Sequence, residues 1–421
     1  MTNRLTRRDF LKRTAFAAAS LTLVPRRVLG GAGFLAPSDE LTKAVIGVGS
    51  MGRVHLTYPG ARLLAVCDVD ANHLKRALEI AGPGVLGTRD FREVLERENV
   101  DIVHIVTPPH WHALISIAAA EAGKDIWCEK PMTRTIAEGQ KVVEAVQRNG
   151  RIFRVNTWFR FRGTFYGLGT TVRPIKKAVS ASLLGWPLRV TLSRATGFDW
   201  KFYWVGKTHL EPQPVPPELD YDMWLGPAPF KPYNPHRVHI TFRGYWDYDG
   251  GGLGDMGMHY LDPVQDILDR DHTSPVEVEA EGPQQHPDAC GTWRRLRLRY
   301  ADGCEIILDG EQTEGRVPFI KGPEGCLFRN LESDIPGFQE KVASLPDPEP
   351  PETDFIRAVR LRRKFALNEE NGHRSCTLVN LCKIAVRLGR PLRFDPKAQR
   401  FVNDEEANRL VSQPMRAPWH L

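Results

Sequence analysis

Asp255 and His259 stand four residues apart in the stretch GDMGMHYLD, Gly254 to Asp262, directly after the glycines Gly250 to Gly252. On a helix, residues at i and i+4 share one face. Imidazole exchanges protons near neutrality, so the pair is equipped to work as a proton relay. A metal centre would want further ligands close by. His236 and His239 lie in a proline-rich stretch and its exit, so no metal is expected. A phosphate-binding loop is the third option, and another glycine run makes it redundant.

That run is KAVIGVGSMGRVHL, Lys43 to Leu56, with glycines at 47, 49 and 52. A second apolar run, RLLAVCDVD, ends in Asp68, 21 residues after Gly47. The order strand, glycine turn, helix, strand, acid is a dinucleotide fingerprint. Gly47 permits the tight turn, Gly49 the approach of a pyrophosphate and Gly52 close packing of helix on strand. Ser50 and Met51 open the helix whose free N–H groups face the phosphates. Asp68 is expected to accept bonds from ribose hydroxyls and to repel a 2′-phosphate, which favours NAD over NADP. Arg62 and Arg76 are the residues able to reverse that preference.

The alternation continues. DIVHIVTPP reads as a third strand, HWHALISIAAAEAG as a helix, KDIWCEKP as a fourth strand and TIAEGQKVVEAVQRNG as a helix ending at Gly150. RIFRVNTWF follows as a further strand. Such alternation means a doubly wound parallel sheet, with ligands beyond the carboxyl ends of its strands. Thr107, Pro108 and the pair Glu129–Lys130 occupy such ends. A lysine there can bond a substrate hydroxyl and stabilise charge as its proton leaves.

A chain of 421 residues is expected to fold as two domains. The formal charge of +6 resides in the first thirty residues, which hold seven Lys or Arg against one acid, Asp9. The rest is balanced, which argues against a nucleic-acid partner. TRRDFLK, then an apolar stretch from Ala15 to Val24, resembles a twin-arginine export signal, too short to span a bilayer. It implies the Tat machinery as a partner, a periplasmic location and no stable membrane anchor. The seven cysteines stand singly, without a CxxC pair, so free thiols are expected.

In the second half WPLRVTLSRATG, SPVEVEAEG, TWRRLRLRYADG and CEIILDG read as strands. Two stretches stand out. TGFDWKFYW packs five aromatics into seven residues, and Glu211 to His236 holds eight prolines in 26. The latter is a rigid insertion: a lid over substrate, a subunit contact, or a loop packed on its own domain. A helix is expected to start near Asp354, and CTLVNLCKIAVRLG to form another that stops at Gly389.

GVGSMG, TPPHWH, CEKP and GDMGMHYLD, in that order, resemble the Gfo/Idh/MocA family of sugar and polyol oxidoreductases over residues 40–420. CEKP followed 125 residues later by Asp-x-x-x-His carries most of the specificity. The resemblance implies a targeting segment at 1–33, an α/β NAD(P)-binding Rossmann domain at 40–160 and an α+β domain with an open, mostly antiparallel sheet at 161–421. It places the cofactor on Gly47, Gly49, Gly52, Asp68, the nicotinamide-side loop from Thr107 through His110 to His112, Glu129 and Lys130. It makes Lys130, Asp255 and His259 catalytic, implies a homo-oligomer, and implies a sugar or glycoside as substrate. Free NAD is not expected outside the cytoplasmic membrane, so a tightly held cofactor is expected. Exchange between two sugars, or glycoside cleavage through transient oxidation, satisfies that constraint. A non-catalytic sugar or cofactor sensor is the remaining reading.

Overall fold

The structure, a computed structural model, describes residues 39–421 apart from Trp158, Arg162 and the three residues 201–203. The export-signal expectation therefore lies outside the described residues. Residues Thr42–Leu421 form one unit built on two sheets. The first comprises β1 (Thr42–Ile46), β2 (Arg62–Cys67), β3 (Leu86–Thr88), β4 (Ile102–Ile105), β5 (Asp125–Glu129) and β6 (Phe153–Asn156). All pairings are parallel and the order is β3-β2-β1-β4-β5-β6. β1 and β5 are buried along their whole length, as strands covered on both faces must be. DIVHIVTPP thus supplies the fourth strand. The edge strand β3, of three residues, escaped sequence reading because it is too short to show a period. The chain reverses its winding between β1 and β4, which opens a crevice at their carboxyl ends.

The second sheet has eight strands: β7 (Arg189–Ser193), β8 (Glu277–Glu281), β9 (Arg295–Arg299), β10 (Glu305–Asp309), β11 (Ile320–Lys321), β12 (Cys326–Leu327), β13 (Leu392–Asp395) and β14 (Arg400–Phe401). Only β7 and β10 pair in parallel. The four longest strands are those the apolar alternation announces. In register, Leu298 faces both Val278 and Ile306 on the buried side. The outer side carries Arg297 with Glu279 at 2.7 Å and Arg299 with Glu277 at 2.6 Å. Period-two alternation separates the two faces. The outer face is consequently neutralised within itself.

Two helices position the site. In the Gly251–Ile267 helix every residue but Gly252 is buried. Several of its polar groups are answered: Asp262 pairs with Arg160 at 2.6 Å, and Asp266 with Lys176 at 2.7 Å. Gln265 donates to the carbonyls of Arg270 and Thr273. The second helix, Glu369–Leu388, packs against the first, against β8, and against the Ile136–Arg148 helix of the parallel-sheet half. It starts seven residues before Cys376 because Asn368 caps it, and it ends at Gly389 with φ +62° as expected. The Phe355–Leu361 helix starts after its cap Asp354, as expected. The seven cysteines are free, and all but Cys326 are buried. Among the described residues, no helix is long and apolar enough to cross a membrane.

The junction of the two halves is tight at Gly139. A Cβ there would lie 2.2 Å from His373 Nδ1, and that ring is tied to Gln399 at 2.6 Å. Gly139→Ala should therefore destabilise by about 1–3 kcal/mol through overpacking, more than the roughly 1 kcal/mol that alanine gains in helix propensity. Urea unfolding measures this, and an equal or higher midpoint would contradict the packing argument.

Candidate active site

The crevice beyond β1 and β4 is a cavity of about 400 Å³. Gly47 turns with φ +86°, and its N–H donates to the Cys67 carbonyl at 2.8 Å. A Cβ on Gly52 would sit 1.9 Å from the Gly47 carbonyl oxygen, so the helix Ser50–Leu56 lies on the turn only because residue 52 is glycine. Gly49, at its N-cap, leaves space on its open side. Asp68 accepts from the N–H groups of Val48 at 2.8 Å and Asp70 at 2.9 Å. It also sits 3.5 Å from His73 Nδ1 and raises the pKa of that ring. Gly47, Gly49, Ser50, Met51, Gly52, Asp68, Thr107, Pro108, Glu129 and Lys130 all line the cavity. Arg76 lines it as well, together with Arg53 and Arg89. The loop therefore has the shape and the donors that a dinucleotide needs.

His110 and His112 stand behind the wall rather than in it. His110 Nε2 contacts the Trp224 carbonyl at 2.9 Å, and burial lowers its pKa to about 3. His112 bridges the Pro131 carbonyl at 2.7 Å and the Thr107 carbonyl at 2.8 Å. It ties the ends of β4 and β5 together. Glu129 lines the cavity, but Oε1 is engaged by His55 at 2.9 Å and by Asn156. Burial alone would raise its pKa; His55 and Asn156 hold it below the usual range.

Lys130 and Asp255, 125 residues apart in the chain, meet across the crevice. Lys130 Nζ donates to the Asp255 carbonyl at 2.6 Å and to Oδ1 at 2.8 Å. Arg243 Nε reaches the same oxygen at 3.0 Å, and Trp204 Nε1 donates to Oδ2 at 2.7 Å. Burial would raise the pKa of Asp255, but Lys130 and Arg243 hold it well below the carboxylate range. Asp255 is thus a fixed anion facing Lys130. His259 lies one helical turn further on, against Phe159 at 5.8 Å and Tyr166 at 6.5 Å between ring centroids, and outside the lining of the cavity. Pro263 has no N–H for the His259 carbonyl four residues back.

Gly250 and Gly254 are required by packing. Gly250, with φ +128°, leaves room for the Lys383 methylenes, and a Cβ on Gly254 would lie 2.0 Å from Asp249 Oδ1. Asp249 is the residue that sequence reasoning missed. It lines the cavity, is 1% exposed, and its Oδ1 has no hydrogen-bond partner among the described residues. Burial raises its pKa to about 6, with Arg243 opposing and Asp255 reinforcing. The only sequence signal was an acid directly before the glycine run.

The proline-rich insertion closes the other end of the crevice. Leu219 bridges Asp70, the Ala71 N–H donates to Glu218 at 2.9 Å and the Asp220 N–H to Val69 at 3.0 Å. Met223, Trp224, His239 and Ile240 line the cavity from above. The stretch thus packs on the parallel-sheet half and covers the crevice by doing so. The aromatic stretch divides: Trp200 packs edge-to-face in the core against Tyr260 and Trp293, whereas Trp204 serves Asp255. Asp70, His73 and His239 bring possible metal-ligand atoms within 4.8 Å of one another at this end.

Family profiles match nearly all of this length. An oxidoreductase-family NAD-binding Rossmann fold covers residues 41–157, and an oxidoreductase-family C-terminal alpha/beta domain covers 168–421. An inositol 2-dehydrogenase of Salmonella typhimurium is 30% identical over 156 residues, 36% of this chain and 44% of that protein. A levoglucosan dehydrogenase of Pseudarthrobacter phenanthrenivorans is 33% identical over 174 residues, 38% of this chain and 42% of that one. The matched stretches thus span less than half the length of these curated relatives. Among solved structures, the WlbA dehydrogenase from Chromobacterium violaceum with NADH and UDP-GlcNAcA has a TM-score of 0.59 at 19% identity, over 85% of this chain and 96% of that one. Levoglucosan dehydrogenase with NADH and levoglucosan has a TM-score of 0.53 at 19% identity, over 84% and 99%. Likenesses at that identity concern the fold.

Asp249 makes stability depend on pH. Its folded pKa of about 6 lies above the model-compound 3.8, so folding favours the protonated form. The stability it contributes is present below pH 4 and is lost as pH rises through about 6. Asp249→Asn should therefore unfold at higher urea than the parent at pH 8, by up to about 3 kcal/mol, and the gain should shrink at pH 4.5. Parallel curves for the two proteins at both pH values would refute the buried-carboxylate reading.

Proposed function

We propose, starting from the fact that this chain belongs to the Gfo/Idh/MocA oxidoreductase family, that it oxidises a hydroxyl of a sugar, polyol or glycoside. The observation that carries the reading is Lys130 Nζ, held 2.8 Å from Asp255 at the end of the crevice that Gly47 opens. A nicotinamide dinucleotide held by Gly47, Gly49, Gly52 and Asp68 would supply the hydride acceptor. Lys130 donates to the substrate oxygen while the carbon loses hydride and the hydroxyl loses its proton. Asp255, ionised, keeps the ammonium group in place. His259 takes the proton, and a carbonyl forms. Asp68 at the end of β2 would repel a 2′-phosphate, which supports NAD over NADP, whereas Arg76 on the same wall opposes that preference. The names of the inositol and levoglucosan dehydrogenase relatives support a polyhydroxylated substrate. Lys130→Met and His259→Asn should each lower hydride transfer by roughly 10²–10⁴-fold, while NAD still binds in titration. Full turnover in either variant sinks its assignment.

The twin-arginine resemblance adds the proposal that the cofactor travels inside the folded protein. The insertion from Glu211 supports this, because it covers the crevice and is hydrogen-bonded to Val69 and Ala71. Denatured, the purified protein should release NAD(H) in near-stoichiometric amount, and the native protein should act on sugars without added cofactor. A protein that works only with added NAD loses the retention proposal and keeps the dehydrogenase one. Glycosyl hydrolase family 109 proteins of Shewanella baltica match at 32% identity over 169 residues, which favours a second reading, redox-neutral glycoside cleavage. Glycoside cleavage with no net change in NADH absorbance would select it. A protein that holds no cofactor and turns nothing over overturns both in favour of a sensor.

A further inference from the structure

A second cavity, of about 190 Å³, lies behind Lys383, on the far side of that side chain from Gly250. Its wall includes Arg134, Lys383, Arg387 and Arg409, with the amides of Asn380 and Gln413, and it contains no carboxylate. Lys383 and Arg134 are 6% and 3% exposed. Lys383 donates to the Arg134 carbonyl at 3.0 Å and to Asn380 Oδ1 at 3.1 Å, both neutral acceptors. Arg134 spends one nitrogen on the Asp247 carbonyl and another on Glu138 at 3.3 Å. Its Nε is buried and has no hydrogen-bond partner among the described residues. Arg387 lies over the Trp246 ring at 5.4 Å. Neither Arg387 nor Arg409 has an ion-pair partner among the described residues.

Buried cations are ordinarily paired, because removing an ion from water costs several kcal/mol when nothing compensates it. Here two buried cations, Lys383 and Arg134, with the half-buried Arg387 and the exposed Arg409 beside them, have one acid at ion-pair distance, Glu138, which is already bonded to the Arg134 and Thr135 backbones. Burial lowers the pKa of Lys383 and Arg387, and Arg134 lowers both further; Asp249 and Asp247 oppose from outside the cavity. A counter-ion inside the cavity would relieve all of this. Arginine forks with a hydroxyl and two amides suit a tetrahedral oxyanion better than a halide.

We infer that this pocket is an anion site, separate from the dinucleotide crevice, that binds a small doubly charged oxyanion of the phosphate or sulfate type. The volume admits one such ion with water. Titration of the full protein with sodium phosphate at pH 8, against sodium chloride at matched ionic strength, tests it. A saturable rise in melting temperature is expected with phosphate and sulfate, and none with chloride. The variant Arg387→Gln/Arg409→Gln should weaken the apparent affinity at least 10-fold while its circular dichroism stays native. Arg409→Ala alone, at an exposed position, should weaken it measurably and serves if the double variant misfolds. The inference is overturned if phosphate does no more than chloride. It is equally overturned if the response persists undiminished in the variants, for it then belongs to the loop from Gly47 to Gly52.

Discussion

The ion pair between Lys130 and Asp255 is the constraint around which the molecule is arranged. It joins the end of a parallel strand to the middle of a buried helix, and both partners are largely out of water. A buried pair gains little net stability, but losing one partner strands the other charge at a cost of about 3–5 kcal/mol. The fold accordingly surrounds the carboxylate with Arg243 and Trp204 and anchors the ammonium on a main-chain carbonyl as well. Such a pair cannot exist unless the helix Gly251–Ile267 runs directly beneath the crevice. The second sheet, the helix Glu369–Leu388 and the glycines at their crossings are what hold it there.

That burial imposes a second requirement. A helix carrying Asp255, His259, Asp262, Gln265 and Asp266 cannot be enclosed unless its polar groups are answered. Arg160 answers Asp262 and Asp266, and Ser375 adds a hydroxyl to Asp262. Gly257 admits Val379 and Gly254 admits Asp249, so close approach replaces side-chain volume where the neighbours crowd in. Asp249, shortly before the helix, is left without a hydrogen bond at Oδ1 among the described residues. A carboxyl in that state is costly to the fold and useful to a site that moves protons.

The cofactor half was legible because its chemistry is local. The glycine turn, its helix and Asp68 lie within 22 consecutive residues, and each has a stereochemical reason for its identity. The central strands of the second sheet were legible too, since LRLR and EIIL alternate or run apolar over their length. β11, β12 and β14, of two residues each, carry no period at all. The insertion was readable as rigid from its prolines, but its resting place against Val69 and Asp70 follows from main-chain bonds that composition does not encode. His110 and His112 showed the opposite limit. The family resemblance placed them on a cofactor-side loop, and their surroundings make them supports for Trp224, Pro131 and Thr107.

The sequence by itself determined the residue types of the crevice and the order in which they are threaded: a turn that only glycine can make at 47, an acid at the end of β2, a lysine after β5, and an acid and imidazole on one helical face. Tertiary structure decided what those residues are electrically. Asp249 and Asp255 are the same side chain six positions apart, and both are buried. One titrates near 6, because burial acts on it with Oδ1 left unbonded. The other stays ionised, because Lys130 and Arg243 arrive from distant or turned segments to hold it. Proton affinity is a property of the surrounding field, and that field is assembled only when the chain has folded.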